Sequence, residues 1–256
     1  PIVNITEVIY PARNTAAEVY AQIDKDIKAA ITLLPQTGNV ISNGVVNNTM
    51  FKIRMNRFST LALKARVSVY KSDWASAADA ADQVIASGRY ALYTFGNMLQ
   101  DFRTQNSAES LFEIANNTND NPGTDSYAYL CSQQGYGEML GTRNSMNSKS
   151  TGTTLSTFRG LYEAYSATDV RRGFVALADR NSLGGETNVP IPTKYMNIST
   201  YMENIKVIRL AEMYLIRGEA NARLAVENSN TILLTTSLTD INLIRKSRDT
   251  ASATRP

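Results

Sequence analysis

Between residues 15 and 34, apolar side chains return every three or four positions: Val19, Ile23, Ile27, Ala30, Ile31 and Leu34. That period places them on one side of a helix. Thr15 and Glu18 are spaced as a capping box, in which each side chain satisfies a backbone donor of the first turn. Pro35 ends the pattern, Gly38 opens a loop, and 39–50 is polar and rich in Asn. The periodicity resumes in two stretches near 53–70 and 74–87. Lys71, Ser72 and Asp73 make the turn between them, with Asp73 as N-cap and Gly88 as the C-terminal stop. Leu61 and Ala65 are predicted to face Trp74, Ala77, Ala81 and Val84, a set small enough to let two helix backbones approach closely. A second helix pair is predicted at 205–227 and about 238–248, joined by a connection rich in Thr, Ser and Asn.

The first pair spans roughly the 34 residues of a tetratricopeptide (TPR) unit and has a comparable aromatic-x-x-Ala start to its second helix. The predicted fold class is therefore mainly α, with TPR-like hairpins at 15–90 and 203–250. They pack around a loop-rich central region, 91–202, that carries short strands. That centre is rich in Gly, Asn, Ser, Thr and Tyr. One helix is expected near 154–166 and a strand at 110–114. Residues 116–150 form the longest stretch without helical periodicity, and a loop of that length in a compact domain is usually functional or disordered.

Residues 209–223 read Arg-Leu-Ala-Glu-Met-Tyr-Leu-Ile-Arg-Gly-Glu-Ala-Asn-Ala-Arg. The wording resembles the signature helix of the SusD/RagB family of outer-membrane nutrient-binding lipoproteins. Further matches stand in the family's order. The helix 15–34 ends in Leu-Pro, and a helix hairpin follows at 58–78. Next come Ser-Leu-Phe-Glu-Ile at 110–114, Asp-Val-Arg-Arg at 169–172, Lys194-Tyr195, and an Asn-x-x-Arg helix at 240–248. The resemblance implies one SusD/RagB-like region over 1–256. It also implies non-catalytic binding of a glycan or oligosaccharide at the cell surface, with delivery to a SusC-like TonB-dependent transporter in the outer membrane. Such proteins begin with a lipid-anchored Cys and an additional helical region, and continue into a further helix. Against that pattern the chain reads as a piece of a longer protein, its N-terminal lipid anchor not present in it.

Composition narrows the chemistry. At 256 residues the chain can bury a substantial core. There is no His, which removes the commonest general base and every His-containing triad or metal site. A single cysteine, Cys131, excludes an internal disulfide and reads as a small packed side chain. A net charge of +3 gives no case for nucleic acid. No cofactor or metal is implied, and no apolar run approaches the roughly 20 residues that span a bilayer.

Sugars are held by aromatic faces against ring C–H groups and by planar amides, carboxylates and Arg forks against hydroxyls. The 116–150 stretch supplies both. Its candidate ligand-binding residues are Tyr127, Tyr129 and Tyr136 with Asn121, Asp125, Gln133 and Arg143. Tyr127 and Tyr129 alternate and would share a face if extended. The competing reading is that these tyrosines pack the loop onto the helices. Trp74 reads as core. Glu212 and Glu219 stand about 10.5 Å apart along a helix, whereas an inverting glycosidase needs about 6.5–9.5 Å. An ion pair from Arg209 to Glu212 explains the first acid better. Asp169 with Arg171 or Arg172 reads as a turn-fixing salt bridge. Lys52, Arg54 and Arg57 read as a solvated basic face. The alternatives to glycan binding are a TPR-like protein–protein scaffold and, least favoured, a glycoside hydrolase.

Overall fold

A computed structural model describes residues 12–36, 40–42, 45–47, 52–132, 161–178 and 189–253. The chain is mainly helical. Helix α1 (Ala16–Leu33) carries the capping box: the Thr15 hydroxyl accepts from the Glu18 amide, and the Glu18 carboxylate accepts from the Thr15 amide at 2.8 Å. A two-stranded hairpin, β1 (Val40–Ser42) with β2 (Val45–Asn47), follows where a polar loop was expected. Helix α2 (Arg57–Tyr70) starts four residues later than the apolar pattern suggested. Asn56 caps it by accepting from the amides of Phe58 and Ser59. Helix α3 (Trp74–Ala86) is capped by Asp73, as expected, and ends before Gly88 at φ +62°.

Helix α4 (Met98–Arg103) leads into strand β3 (Ser110–Ile114). Short helices α5 (Tyr127–Leu130) and α6 (Leu161–Ala164) come next. The helix expected near 154–166 is represented by α6, residues 151–160 lying outside the described set. Strands β4 (Val175–Ala178) and β5 (Val189–Pro192) form an antiparallel hairpin. Strand β6 (Ile205–Arg209) pairs antiparallel with β3, and helices α7 (Leu210–Asn228) and α8 (Thr231–Arg248) close the described chain. Two of these bounds correct the sequence reading. Residues 205–209 are strand, because alternating apolar residues there pair with β3. The Thr/Ser-rich stretch from 231 is helix, with Ser229 in the left-handed conformation and Asn230 capping the new start.

The long helices pack in chain order, α1 on α2, α2 on α3, α3 on α7 and α7 on α8. Leu61, Ala65, Ala77, Ala81 and Val84 form the predicted core, joined by Leu111, Ile208, Met213 and Ala220 from β3, β6 and α7. Trp74 packs against this cluster, with the Arg223 guanidinium 5.3 Å from its ring. At the end of the row, among the described residues, α1 packs on α2, and Ile27 is buried while Val19 is 47% exposed. At Gly218 a Cβ would meet Ile241 at 3.4 Å, and the Ser237 hydroxyl donates to the Gly218 carbonyl at 2.6 Å. The absence of a side chain there lets α7 and α8 approach.

Buried ion pairs tie this row together. Glu109 is fully buried and accepts from the Tyr93 amide (2.8 Å), Arg209 (2.7 Å) and Arg248 (2.7 Å). Glu113, equally buried, accepts from Lys206 (2.6 Å), Asn204 (2.8 Å) and the Asn106 amide (2.9 Å). Burial pushes the Glu113 pKa up, but the hydrogen bonds from Lys206, Ser110, Asn106 and Asn204 outweigh it and hold the carboxyl below its ordinary value. Arg66 grips Glu212 with two bonds of 2.6 and 2.7 Å and donates to the Val207 carbonyl. Arg209 therefore serves Glu109, and Glu212 takes Arg66, which replaces the local pair expected from spacing. Lys52 is also not a solvated residue: its ammonium bonds the Ser107 carbonyl and lies 5.6 Å from the Tyr90 ring centre.

Breaking the Glu109–Arg248 pair leaves a buried charge short of its partner. Arg248→Met is expected to destabilise the fold by about 3–5 kcal/mol in urea unfolding. Lys64→Gln, which removes a surface pair with Asp79 at 3.9 Å, should stay within about 0.5 kcal/mol. Desolvation lowers Lys52 from 10.5 to about 8, with Glu113 partly opposing it. Between those values the unfolded chain holds more protons at this site, so the site's contribution to stability rises with pH. The stability of Lys52→Met relative to the parent should therefore fall as pH rises from 8 to 10.

Candidate functional site

The best-formed site carrying sequence-predicted residues lies where α5 meets the loop between β5 and β6. Pro122 and Gly123, the latter at φ +56°, turn the chain into a 3-10 turn, Gly123–Asp125. Ser126 then caps α5 by accepting from the Tyr129 amide at 3.2 Å. Because 127–130 is helical and not extended, Tyr127 and Tyr129 point in different directions and each meets its own partner. Tyr127 stacks on Tyr195, with centroids 5.8 Å apart and planes 24° off parallel. Tyr129 meets Tyr201 edge-on at 6.4 Å. Tyr195 is further braced edge-on by Phe102 at 5.6 Å.

These rings wall a cleft of about 310 Å³ whose lining includes Asn116, Asp125, Tyr127, Tyr195, Tyr201 and Glu203. Tyr127 is 54% exposed, so a broad aromatic face remains open above its stacked partner. Burial raises the Tyr195 hydroxyl's pKa, and a hydrogen bond involving the Lys206 backbone opposes the shift. The Glu203 carboxylate organises the loop, its Oε2 accepting from the amides of Met196 (2.8 Å) and Asn197 (3.0 Å). The Asn116 side-chain Nδ2 donates to the Glu203 carbonyl at 2.7 Å, tying the loop to the strand side. Tyr201 sits at φ +57°, a left-handed conformation that costs a bulky residue of order 1–3 kcal/mol and tends to mark ligand sites.

Of the sequence-predicted residues, Tyr127 and Asp125 line this cleft. Tyr129 stands behind it against Tyr201. The Asn121 side chain builds the turn, donating to the carbonyls of Asn117 and Thr118 and accepting from the Gly123 amide. Tyr136, Gln133 and Arg143 lie outside the described residues. Tyr195, Tyr201 and Glu203 were not picked as ligand residues, being roughly seventy positions away in sequence. The left-handed Tyr201 has no local sequence signal, and of the three only Tyr195 belongs to a motif of the family resemblance.

Elsewhere the candidate chemistry resolves into structure. Glu219 pairs with Arg223 on the surface at 3.3 Å, so the Glu212–Glu219 pair is divided between two arginines. Asp169 grips Arg171 at 2.6 Å and caps the turn that follows. Desolvation raises the Cys131 thiol. Among the described residues no group of His, Cys, Asp and Glu is placed to hold a metal, and no helix is long and apolar enough to cross a membrane.

Glu203→Ala removes the acceptor for two adjacent amides. Hydrogen exchange at Met196 and Asn197 is expected to accelerate about tenfold, equivalent to roughly 1.4 kcal/mol of lost hydrogen bonding, while amides of α7 stay unchanged.

No protein-family model and no curated protein matches the chain. Solved structures do. A SusD superfamily protein of Bacteroides vulgatus superposes with a TM-score of 0.67 at 28% identity, over 93% of this chain and 48% of its own. A second B. vulgatus protein, provisionally described as sugar binding, gives 0.67 at 28% identity over 96% and 49%. A SusD-like carbohydrate binding protein of the same organism gives 0.63 at 20% identity over 91% and 44%, a likeness of fold. The chain thus spans about half the length of the relatives it matches. With this fold and 28% identity across more than nine tenths of its length, the chain is similar to SusD superfamily proteins and shares their architecture.

Proposed function

We propose that the chain binds a glycan or oligosaccharide without transforming it, and that the Tyr127–Tyr195–Tyr201 cleft is where the sugar sits. The observation that carries this reading is the open face of Tyr127, held by stacking on Tyr195 beside the carboxylates of Asp125 and Glu203. An aromatic platform with acceptors at its edge suits a pyranose ring: the C–H face packs on the phenol and the hydroxyls donate to the acids. The sugar-binding descriptions of two superposing proteins support it. Gln133, Tyr136 and Arg143 complete the proposed ligand set, and the 91–202 region is the ligand-binding part of the chain between two TPR-like scaffolds.

The reading extends to location and partner. The protein to which this chain belongs is placed at the cell surface through an N-terminal lipid anchor and hands its cargo to a SusC-like TonB-dependent transporter. The alternatives are weaker. A peptide-binding scaffold needs a polar or aromatic stripe along the inner helix faces, and those faces are packed with Ala, Leu and Val. A glycoside hydrolase acting through Glu212 is opposed by its two-bond grip on Arg66.

Affinity electrophoresis of the folded chain in gels containing single polysaccharides tests the proposal. One glycan should retard the chain, and Tyr127→Ala should weaken that binding about tenfold, the loss of roughly 1.4 kcal/mol of ring contact. Retardation unchanged by Tyr127→Ala would remove the cleft from the mechanism. Release of reducing sugar from the retarding glycan would restore the hydrolase.

A further inference from the structure

A second cleft, also of about 310 Å³, adjoins the first and has a different chemistry. Phe102 lines it and Tyr195 lines its neighbour, and those two rings are in edge contact. Its aromatic walls are Phe102, Phe174 and Tyr165, and its charged lining is Lys194, Arg171 and Arg209, with no carboxylate among the described lining residues. Each ring bears a cation: Lys194 Nζ is 4.9 Å and Arg209 5.6 Å from the centre of Phe102, Arg103 is 5.8 Å from Phe174, and Arg171 is 5.2 Å from Tyr165.

The charge balance around the cleft is uneven. Asp169 neutralises Arg171. Glu109 is shared by Arg209 and the buried Arg248, so one acid serves two guanidinium groups. Among the described residues Lys194 forms no ion pair and no hydrogen bond; its ammonium lies over the Phe102 ring, and part of the residue is open to solvent. Desolvation lowers its pKa, and the neighbouring Arg209 lowers it further. Two cations over one ring, one of them sharing its acid with Arg248 and the other unpaired among the described residues, is an arrangement that an incoming anion relieves. The cleft also offers apolar ring faces for the body that carries the anion.

We propose that this cleft is a subsite for an acidic sugar, the carboxylate of a uronate bonding Lys194 and Arg209 while its ring packs on the partly exposed wall of Phe174 and Tyr165. The assignment goes beyond the reading of the Tyr127 cleft by naming an acidic sugar, and rests on it only in taking the ligand's body to be a sugar.

Titration calorimetry of the folded chain with galacturonate, galactose and inorganic sulfate tests it, and needs no ligand in the Tyr127 cleft to be readable. Galacturonate should saturate one site, galactose should show no saturation, and sulfate should bind at least about tenfold more weakly than galacturonate. Lys194→Met should weaken galacturonate about tenfold, as expected for one charge-assisted hydrogen bond. Lys194→Arg should restore most of the affinity. Unfolding midpoints matching the parent's show that both variants are folded. Absence of saturable galacturonate binding, equal binding by galactose, or an affinity indifferent to Lys194→Met would overturn the subsite. Sulfate binding as tightly as galacturonate would overturn the sugar assignment.

Discussion

Two fully buried carboxylates, Glu109 and Glu113, are the constraint on which the arrangement rests. Taking a carboxylate out of water costs several kcal/mol even after relaxation, so each must be met by well-placed donors. Glu109 finds them on three separate pieces of chain: the Tyr93 amide after α3, Arg209 at the end of β6, and Arg248 at the end of α8. Glu113 takes Lys206 from β6, Asn204 from just before it and the Asn106 amide from the turn before β3. The short sheet of β3 and β6 is thus the place where the first helix hairpin, the central region and the last hairpin are forced into one geometry. Arg217 performs a similar task between helices, reaching Asp240 on α8 with two bonds and Asp82 on α3 with another.

Both clefts are consequences of that geometry. Arg209 leaves Glu109 and reaches over Phe102, which carries the ionic hub to the aromatic wall of the cationic cleft. Phe102 braces Tyr195, and Tyr195 carries Tyr127. A contiguous line of side chains therefore runs from the buried Glu109 to the exposed Tyr127. The platform is rigid because each ring is held by the one behind it. The polar loop at 196–204 is folded onto it by Glu203 and Asn116.

The helices were legible in the sequence wherever a local rule governed them. The Thr15–Glu18 box, the Asp73 cap, the Gly88 stop and the small residues of α2 and α3 act within a few positions of themselves, so periodicity and capping chemistry suffice. Legibility failed where a distant partner decided. Residues 205–209 carry enough apolar character for either helix or strand, and pairing with β3 chose strand. Arg209 stands three residues before Glu212, a spacing that suits an ion pair only if both lie on one helix. It ends a strand instead and turns to Glu109, leaving Glu212 to Arg66. Lys52 reads as a surface charge until the Ser107 carbonyl and the Tyr90 ring close over it.

The sequence by itself determined the mainly helical class, the TPR-like hairpins, the resemblance to the SusD family and the absence of His chemistry. Each of these is written in contiguous stretches or in composition. It also marked the tyrosines of the central region as candidates, and Tyr127 is one that lines the cleft. Only the tertiary structure decided what faces Tyr127, because Tyr195, Tyr201 and Glu203 come from a loop across the molecule. It alone showed that Lys194 stands over Phe102 with no ion pair among the described residues. Binding surfaces are made by convergence of segments distant in the chain, and buried charges such as Glu109 set the convergence. A pattern with a period of a few residues carries no record of either.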